Sequence, residues 1–102
     1  METRFFWYCE DTLGAVITVS GQTVTIQNFV PENNVCTPFG KVSSVPYRVW
    51  QNFLISRCPP PTQSGIDEFL TELGLETYSV EGILRKTHGV IAGDNCRLVP
   101  EA

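Results

Sequence analysis

The stretch GAVITVSGQTVTIQNF, residues 14–29, decides the fold because it joins two β-rich runs through a turn signal. In the second run Val24 and Ile26 alternate with polar residues, which is the period-two pattern of a strand with one buried and one wet face. Between the runs stands Ser20-Gly21, and glycine readily adopts the positive φ that a tight turn requires. The stretch therefore predicts a β-hairpin with its turn at Ser20-Gly21.

Ahead of this hairpin, the aromatic run RFFWYCE at residues 4–10 predicts a further strand. Successive side chains of a strand point to opposite faces of the sheet, so four consecutive aromatic residues must occupy both faces. If this strand lies at a sheet edge, or if one face of the sheet is bare, one aromatic pair is available to a partner. We therefore take Phe6 and Tyr8 as candidate partner-binding residues. Residues 31–41, rich in proline and asparagine, are typical of a loop at the end of the sheet.

The sequence after this loop predicts a first helix. Ser44 is a candidate N-cap, and Pro46 suits the first helical turn, where its missing N–H costs little. Three consecutive prolines from Pro59 forbid the helix to continue. The helical spacing i, i+3, i+4, i+7 predicts a buried stripe with a basic end, made of Trp50, Phe53, Leu54 and Arg57.

Two more helices are marked by their end signals. Ser64 and Asp67 have the spacing of a capping box for the second helix, and Gly74 stands at the position of a left-handed C-terminal glycine. The third helix is expected to begin at Ser79 and to stop at Gly89.

Residues 90–100 predict the end of the fold: a short strand, a turn at residues 93–95 and a strand that ends at Pro100. These strands most economically pair with the N-terminal sheet. The predicted fold class is α+β: an N-terminal antiparallel β-hairpin or sheet, three short helices and one or two C-terminal strands that rejoin the sheet. A chain of 102 residues suits a single domain over 1–102.

Composition excludes several classes of protein. The net charge of -4 lacks the basic footprint of a direct nucleic-acid binder, and no apolar run approaches the roughly 18 residues of a membrane span. The first residues, METRFFWYCEDT, lack the pattern of a secretory leader. We expect a cytoplasmic protein that has no membrane contact.

The four cysteines lie far apart in the sequence, without the CxxC spacing of a zinc site. In the cytoplasm they are expected to be thiols. With one histidine in the chain, this inventory predicts neither a metal site nor a cofactor. An enzyme that uses Cys96 or Cys58 with His88 is an alternative that these residues leave open.

The segment RKTHGVIAGDN, residues 85–95, contains the only histidine. Arg85 and Lys86 suit either contact with an acidic partner or a solvated helix end that complements the helix dipole. His88 falls where an imidazole commonly caps helix carbonyls, and Asp94 belongs to a turn. We interpret these residues as contact or turn residues rather than as catalysts.

Over residues 44–100 the chain resembles a short N-terminal module that precedes HipA-like serine/threonine kinases. In the module an aromatic helix ends in arginine and proline, a glycine opens the next helix, LGL follows, and HG and an aspartate precede a closing strand. The chain departs from the pattern after Asp94, where Cys96-Arg97 replaces an aromatic residue. Because the chemistry of that family belongs to the kinase domain, the resemblance implies a non-catalytic module that packs against or restrains a kinase. The residues that carry it are Trp50, Phe53, Arg57, Pro59, Gly65, Leu70, Leu73, Gly74, Leu75, Leu84, Lys86, His88, Gly89 and Asp94.

The predicted function is a non-catalytic protein-interaction module, antitoxin-like, that binds another protein such as a HipA-like kinase. Its predicted contact residues are Phe6, Tyr8, Arg85, Lys86, His88, Asp94 and Arg97. The alternative is a phage or mobile-element inhibitor of a host defence nuclease, whose acidic helix would occupy a basic nucleic-acid channel. The acidic surface for that function is formed by Asp67, Glu68, Glu72 and Glu76.

Overall fold

The protein forms one antiparallel sheet with three helices, as a computed structural model of residues 2–33, 36–91 and 95–101 describes it. The strands stand in the order β4-β3-β2-β1-β5, and each neighbouring pair is antiparallel. The predicted α+β class is confirmed, including the C-terminal strand that rejoins the sheet. The elements are β1 (Glu2–Cys9), β2 (Thr12–Ser20), β3 (Thr23–Asn28), β4 (Ser44–Val45), α1 (Tyr47–Ser56), α2 (Ile66–Leu73), α3 (Val80–Thr87) and β5 (Cys96–Pro100).

The hairpin of β2 and β3 is present, but its turn lies one residue later than predicted. Ser20 pairs with Thr23, so the two turn residues are Gly21 and Gln22, and Gly21 has a φ of 60°. Val24 and Ile26 are buried, as their alternation predicts. Both Ser20-Gly21 and Gly21-Gln22 contain the glycine that the turn needs. Which of them lies at the tip depends on the turn type, and the alternation of side chains does not fix the turn type.

Strand β1 is internal, because β2 flanks it on one side and β5 on the other. The expectation that the aromatic strand lies at a sheet edge is therefore wrong. An aromatic pair of β1 is available to a partner only if one face of the sheet is bare. Trp7 pairs with Ala15 but Tyr8 pairs with Leu13, so the register shifts by one residue at Gly14. This is a β-bulge, and it reverses the face on which Leu13 lies relative to the rest of β2.

The core forms between one face of the sheet and the helices. Aromatic rings join α1 to β1: Phe5 lies 5.0 Å from Trp50, and Trp7 lies 5.4 Å from Phe53, between ring centroids. Such tilted and edge-on ring pairs add to the stability that apolar burial provides. The predicted stripe on the first helix is thus confirmed, with Trp50 only 2% exposed.

Two predicted helix starts are wrong. Ser44 belongs to β4, where it pairs with Thr25, and α1 begins after Pro46 with no side-chain cap. Ser64 and Asp67 do not form a capping box, because the N-cap of α2 is Gly65, which has a φ of 82° and provides no side-chain oxygen. In both cases a pairing or backbone conformation set by the surrounding chain overrides a local sequence signal.

The later helix ends agree more closely with the sequence. Gly74 is the left-handed C-cap of α2, and the Ser79 hydroxyl accepts a hydrogen bond from the N–H of Gly82 at the start of α3. Helix α3 ends at Thr87, and His88 adopts the left-handed conformation with a φ of 55°. Beyond it β5 is the one strand within the described residues. Val90 and Ile91 are not in a strand, and residue 92, where the expected extra strand would continue, lies outside the described residues. Of the predicted turn at 93–95, residues 93 and 94 lie outside the described residues.

None of the helices in the described ranges combines the length and apolar character that a membrane crossing demands.

Candidate protein-binding surface

One face of the sheet packs against the helices, and the opposite face has none of the described helices on it. Phe5, Trp7 and Cys9 point to the helices, and the alternating side chains of β1 therefore point away from them. Strand register places Thr18 and six further half-buried residues on this second face. We call it the open face, formed by Phe6, Tyr8, Leu13, Val16, Arg97 and Val99.

The open face has a fixed aromatic centre. Tyr8 lies opposite both Leu13 and Arg97, and the Arg97 guanidinium carbon is 4.4 Å from the centroid of the Tyr8 ring. The Arg97 guanidinium also donates a hydrogen bond to the Glu10 carbonyl oxygen at 2.9 Å. A cation held over a tyrosine ring by a second contact presents both groups in a defined geometry. Tyrosine and arginine in such positions are typical of the residues that dominate binding energy at protein interfaces.

Charged residues lie at one end of the open face. Arg4 lies 3.6 Å from carboxylate oxygens of both Glu2 and Glu101, and about half of each side chain is exposed. Exposed pairs of this kind contribute little to stability. The open face thus has an apolar and aromatic centre with a charged margin, which is the usual arrangement of a protein interface.

A partner strand cannot easily extend the sheet at β5, because two outward-facing backbone groups of this strand are already bonded and a third position is a proline. The Leu98 N–H donates to the His88 carbonyl at 2.6 Å, and the Cys96 carbonyl accepts from the Arg57 guanidinium at 3.2 Å. Pro100 has no N–H to donate. Proteins close exposed sheet edges in this way to prevent unwanted strand pairing.

At the opposite edge, β3 is covered by residues 40–45. The Ile26 N–H donates to the Ser43 carbonyl, and the Asn28 amide donates to the carbonyls of Gly40 and Val42. Strand β4 itself is only two residues long. Since both edges are obstructed, a partner is expected to dock on a face of the sheet rather than to add a strand.

The structure brings together only part of the predicted contact set. Phe6, Tyr8 and Arg97 share the open face, whereas Arg85 lines a groove on the helix side and pairs with Glu81 at 2.8 Å. Lys86 and His88 are also exposed near the end of α3. Asp94 lies outside the described residues. The segment 85–97 is therefore not one contact surface.

The groove beside Arg85 is the larger of two described cavities, with a volume of about 480 Å³. It lies between α1, α3 and one end of the sheet, and Phe5, Trp50 and Leu84 form part of its apolar wall. Its residues continue the core of the domain, so we interpret it as incomplete packing beside the helices.

The sequence pattern missed three members of the open face: Leu13, Val16 and Val99. Val16 could have been assigned from its alternation with Ala15 and Ile17, both of which are buried. Leu13 could not, because the bulge at Gly14 moves it to the other face.

The predicted acidic surface is exposed. The four side chains lie on α2 and on the turn that follows it, and no ion pair is formed by any of them within the described part of the chain. They are Asp67, Glu68, Glu72 and Glu76.

The residues of the enzyme alternative do not form a nucleophile–base pair within the described ranges. The Cys58 thiol donates a weak hydrogen bond to the Val80 carbonyl at 3.8 Å, and burial raises its pKa, which disfavours the thiolate. The His88 imidazole is exposed, and its backbone rather than its side chain makes the described hydrogen bonds, to Leu84 and Leu98.

Arg57 has a role that its position in the helical stripe did not indicate. It is only 8% exposed, its Nε–H donates to the Gly89 carbonyl at 2.9 Å, and its guanidinium carbon lies 4.9 Å from the Trp7 ring. Together with its bond to Cys96, these contacts join α1, the end of α3 and β5. Arg57 therefore holds β5 in place and with it Arg97 and Val99 of the open face.

No known protein family, curated protein or solved structure matches this chain.

Proposed function

We propose that the chain is a non-catalytic protein-interaction module that binds its partner through the open face. The observation that carries this proposal is the presence of five apolar or aromatic side chains on a sheet face that none of the described helices covers. A contiguous apolar patch with a polar margin is typical of a protein-binding site. The obstructed sheet edges support a partner that docks on the face.

The partner that we propose is a HipA-like kinase, which the module would bind or restrain in the cytoplasm. Support for this choice comes from the resemblance over residues 44–100. In that resemblance Arg57, Pro59 and His88-Gly89 recur, and here Arg57 and Gly89 are in direct contact. Contact between motif residues favours a structural unit that this chain has in common with the kinase-associated module. The open face lies on the strands beside that unit.

The test is a binding titration of the purified chain with a HipA-like kinase from the same genome, measured by calorimetry. Tyr8→Ala is expected to weaken binding about 30-fold, the effect of removing a residue that contributes about 2 kcal/mol. Val16→Lys places a charge at the centre of the open face and is expected to abolish binding. The control is Ile55→Ala, because Ile55 is 55% exposed on the helix side.

Two outcomes count against the proposal separately. A kinase that does not bind the wild-type chain refutes the partner. Folded Tyr8→Ala and Val16→Lys variants that bind as tightly as the wild-type chain refute the open face as the site.

A nuclease inhibitor is the second candidate, favoured by the exposed carboxylates on α2. Its binding would fall steeply with salt, because it would depend on charge pairing with a basic channel. The double variant Glu68→Lys, Glu72→Lys separates the two functions: it abolishes nuclease inhibition and leaves open-face binding unchanged.

A further inference from the structure

Three of the four cysteines meet in the core, although they are far apart in the sequence. Cys9, Cys36 and Cys96 are each at most 6% exposed, and the other two thiols lie close enough to Cys9 to act on its ionisation. Burial and the neighbouring thiols raise the pKa of Cys9 above its ordinary value. Within residues 2–33, 36–91 and 95–101 no three potential ligands are arranged to hold a metal ion.

Cys9 and Cys96 are the best placed pair in this cluster. They are direct partners across β1 and β5, and the Glu10 N–H donates to the Asn95 carbonyl at 2.8 Å. This bond pattern makes Cys9 and Cys96 a non-hydrogen-bonded pair, in which the Cα atoms are about 4.5 Å apart and the side chains are close. Disulfides join Cα atoms about 4.4–6.8 Å apart, so this pair lies within their range without rearrangement of the strands.

Of the three clustered cysteines, Cys96 is the one that lines a cavity open to solvent. It lines a shallow cavity of about 320 Å³ beside Glu10, Val90 and Arg97, and neither Cys9 nor Cys36 is part of its wall. The carboxylates of Glu10 and Asp11 at this cavity disfavour anionic reagents. A neutral disulfide of low molecular weight is therefore the suitable reagent.

We propose that Cys9 and Cys96 form an oxidation site at which a low-molecular-weight disulfide creates a covalent link between β1 and β5. The Cys96 thiolate attacks one sulfur of the small disulfide, whose S–S bond breaks and releases one small thiolate, which takes up the proton that Cys96 lost. The raised pKa of Cys9 keeps its thiolate scarce, but the cross-strand pairing with Cys96 makes the second step intramolecular. The Cys9 thiolate attacks the Cys96 sulfur of the mixed disulfide, and the second small thiolate leaves and takes up the Cys9 proton. Two protein thiols are oxidised, and one small disulfide is reduced to two thiols.

The experiment uses the native, fully reduced chain and bis(2-hydroxyethyl) disulfide, with intact-mass and peptide-mapping mass spectrometry. The expected product has lost the mass of two hydrogens, yields a linked peptide pair that contains Cys9 and Cys96, and returns to the dithiol with dithiothreitol. Cys9→Ser is expected to stop at a mixed disulfide on Cys96. Cys58→Ser, which removes the thiol outside the cluster, is expected to react like the wild-type chain.

Three results overturn the proposal. The first is a link that contains Cys36 or Cys58 in place of either thiol of the pair. The second is the accumulation of mixed disulfides with no internal link in the wild-type chain. The third is a native chain that does not react under conditions in which the urea-unfolded chain does.

Discussion

Replacement of Arg57 is expected to be the most damaging single change to a charged residue of this fold. The guanidinium makes two described hydrogen bonds, to the carbonyls of Gly89 and Cys96, and a cation–π contact with Trp7. Hydrogen bonds from a charged donor contribute about 1.5–3 kcal/mol each, and the ring contact adds about 0.5–2 kcal/mol. Arg57→Ala also leaves two carbonyls without this donor, so we expect a loss of about 4–6 kcal/mol in the free energy of unfolding.

Arg57→Lys refines this prediction, because lysine retains the charge but lacks the planar fork that reaches both carbonyls. We expect it to cost about 2–3 kcal/mol, which lowers the melting temperature by roughly 10–20 °C for a domain of this size. Urea unfolding followed by circular dichroism measures both variants. Arg48→Ala is the control: Arg48 is exposed on the same helix, and its loss should change stability by no more than about 0.5 kcal/mol. If both Arg57 variants unfold within about 1 kcal/mol of the wild-type chain, the assigned role of Arg57 is wrong.

Three further predictions concern other contacts. Gly14→Ala should cost about 1–3 kcal/mol in urea unfolding, because its Cβ would lie 2.5 Å from the Cys36 carbonyl oxygen. Ser79→Ala should cost about 1 kcal/mol by the same measurement, since it removes the hydrogen bond that Gly82 donates at the start of α3. Urea midpoints should fall as the pH rises above about 8.5: the unfolded chain then releases the Cys9 proton that the folded chain retains, because the pKa of Cys9 is raised in the fold.

The helix-cap and pH predictions each have a control. Ser64→Ala should leave stability within about 0.5 kcal/mol, since Ser64 forms no cap on α2. Cys9→Ala should reduce the slope of stability against pH in the alkaline range, and Cys58→Ala should reduce it further, because burial also raises the pKa of Cys58. If neither replacement changes the slope of stability against pH in the alkaline range, these two thiols do not cause it. If Ser64→Ala and Ser79→Ala lower the free energy of unfolding equally, the assignment of Ser79 but not Ser64 as a helix cap is wrong.

The candidate surface could be predicted only in part. Phe6 and Tyr8 were identified because consecutive aromatic residues in a strand must occupy both faces, and the structure places this pair on the open face. Arg85 and His88 were grouped with them because they are close to Arg97 in the sequence. In the fold, however, α3 ends on the helix side of the sheet, and the chain reaches the open face only after it enters β5.

What the sequence by itself determined is local. Alternation in 23–28 marked β3, apolar spacing in 50–57 marked the buried side of α1, and Gly74 and Ser79 marked helix ends, because each signal acts within a few residues. The tertiary structure alone decided which contacts form between distant segments: the internal position of β1, the bulge at Gly14, the three carbonyl and ring contacts of Arg57, and the meeting of Cys9 with Cys36 and Cys96. Sheet order and register depend on the packing of the whole sheet against the helices, and the free energy of that packing is not contained in any short stretch of the chain.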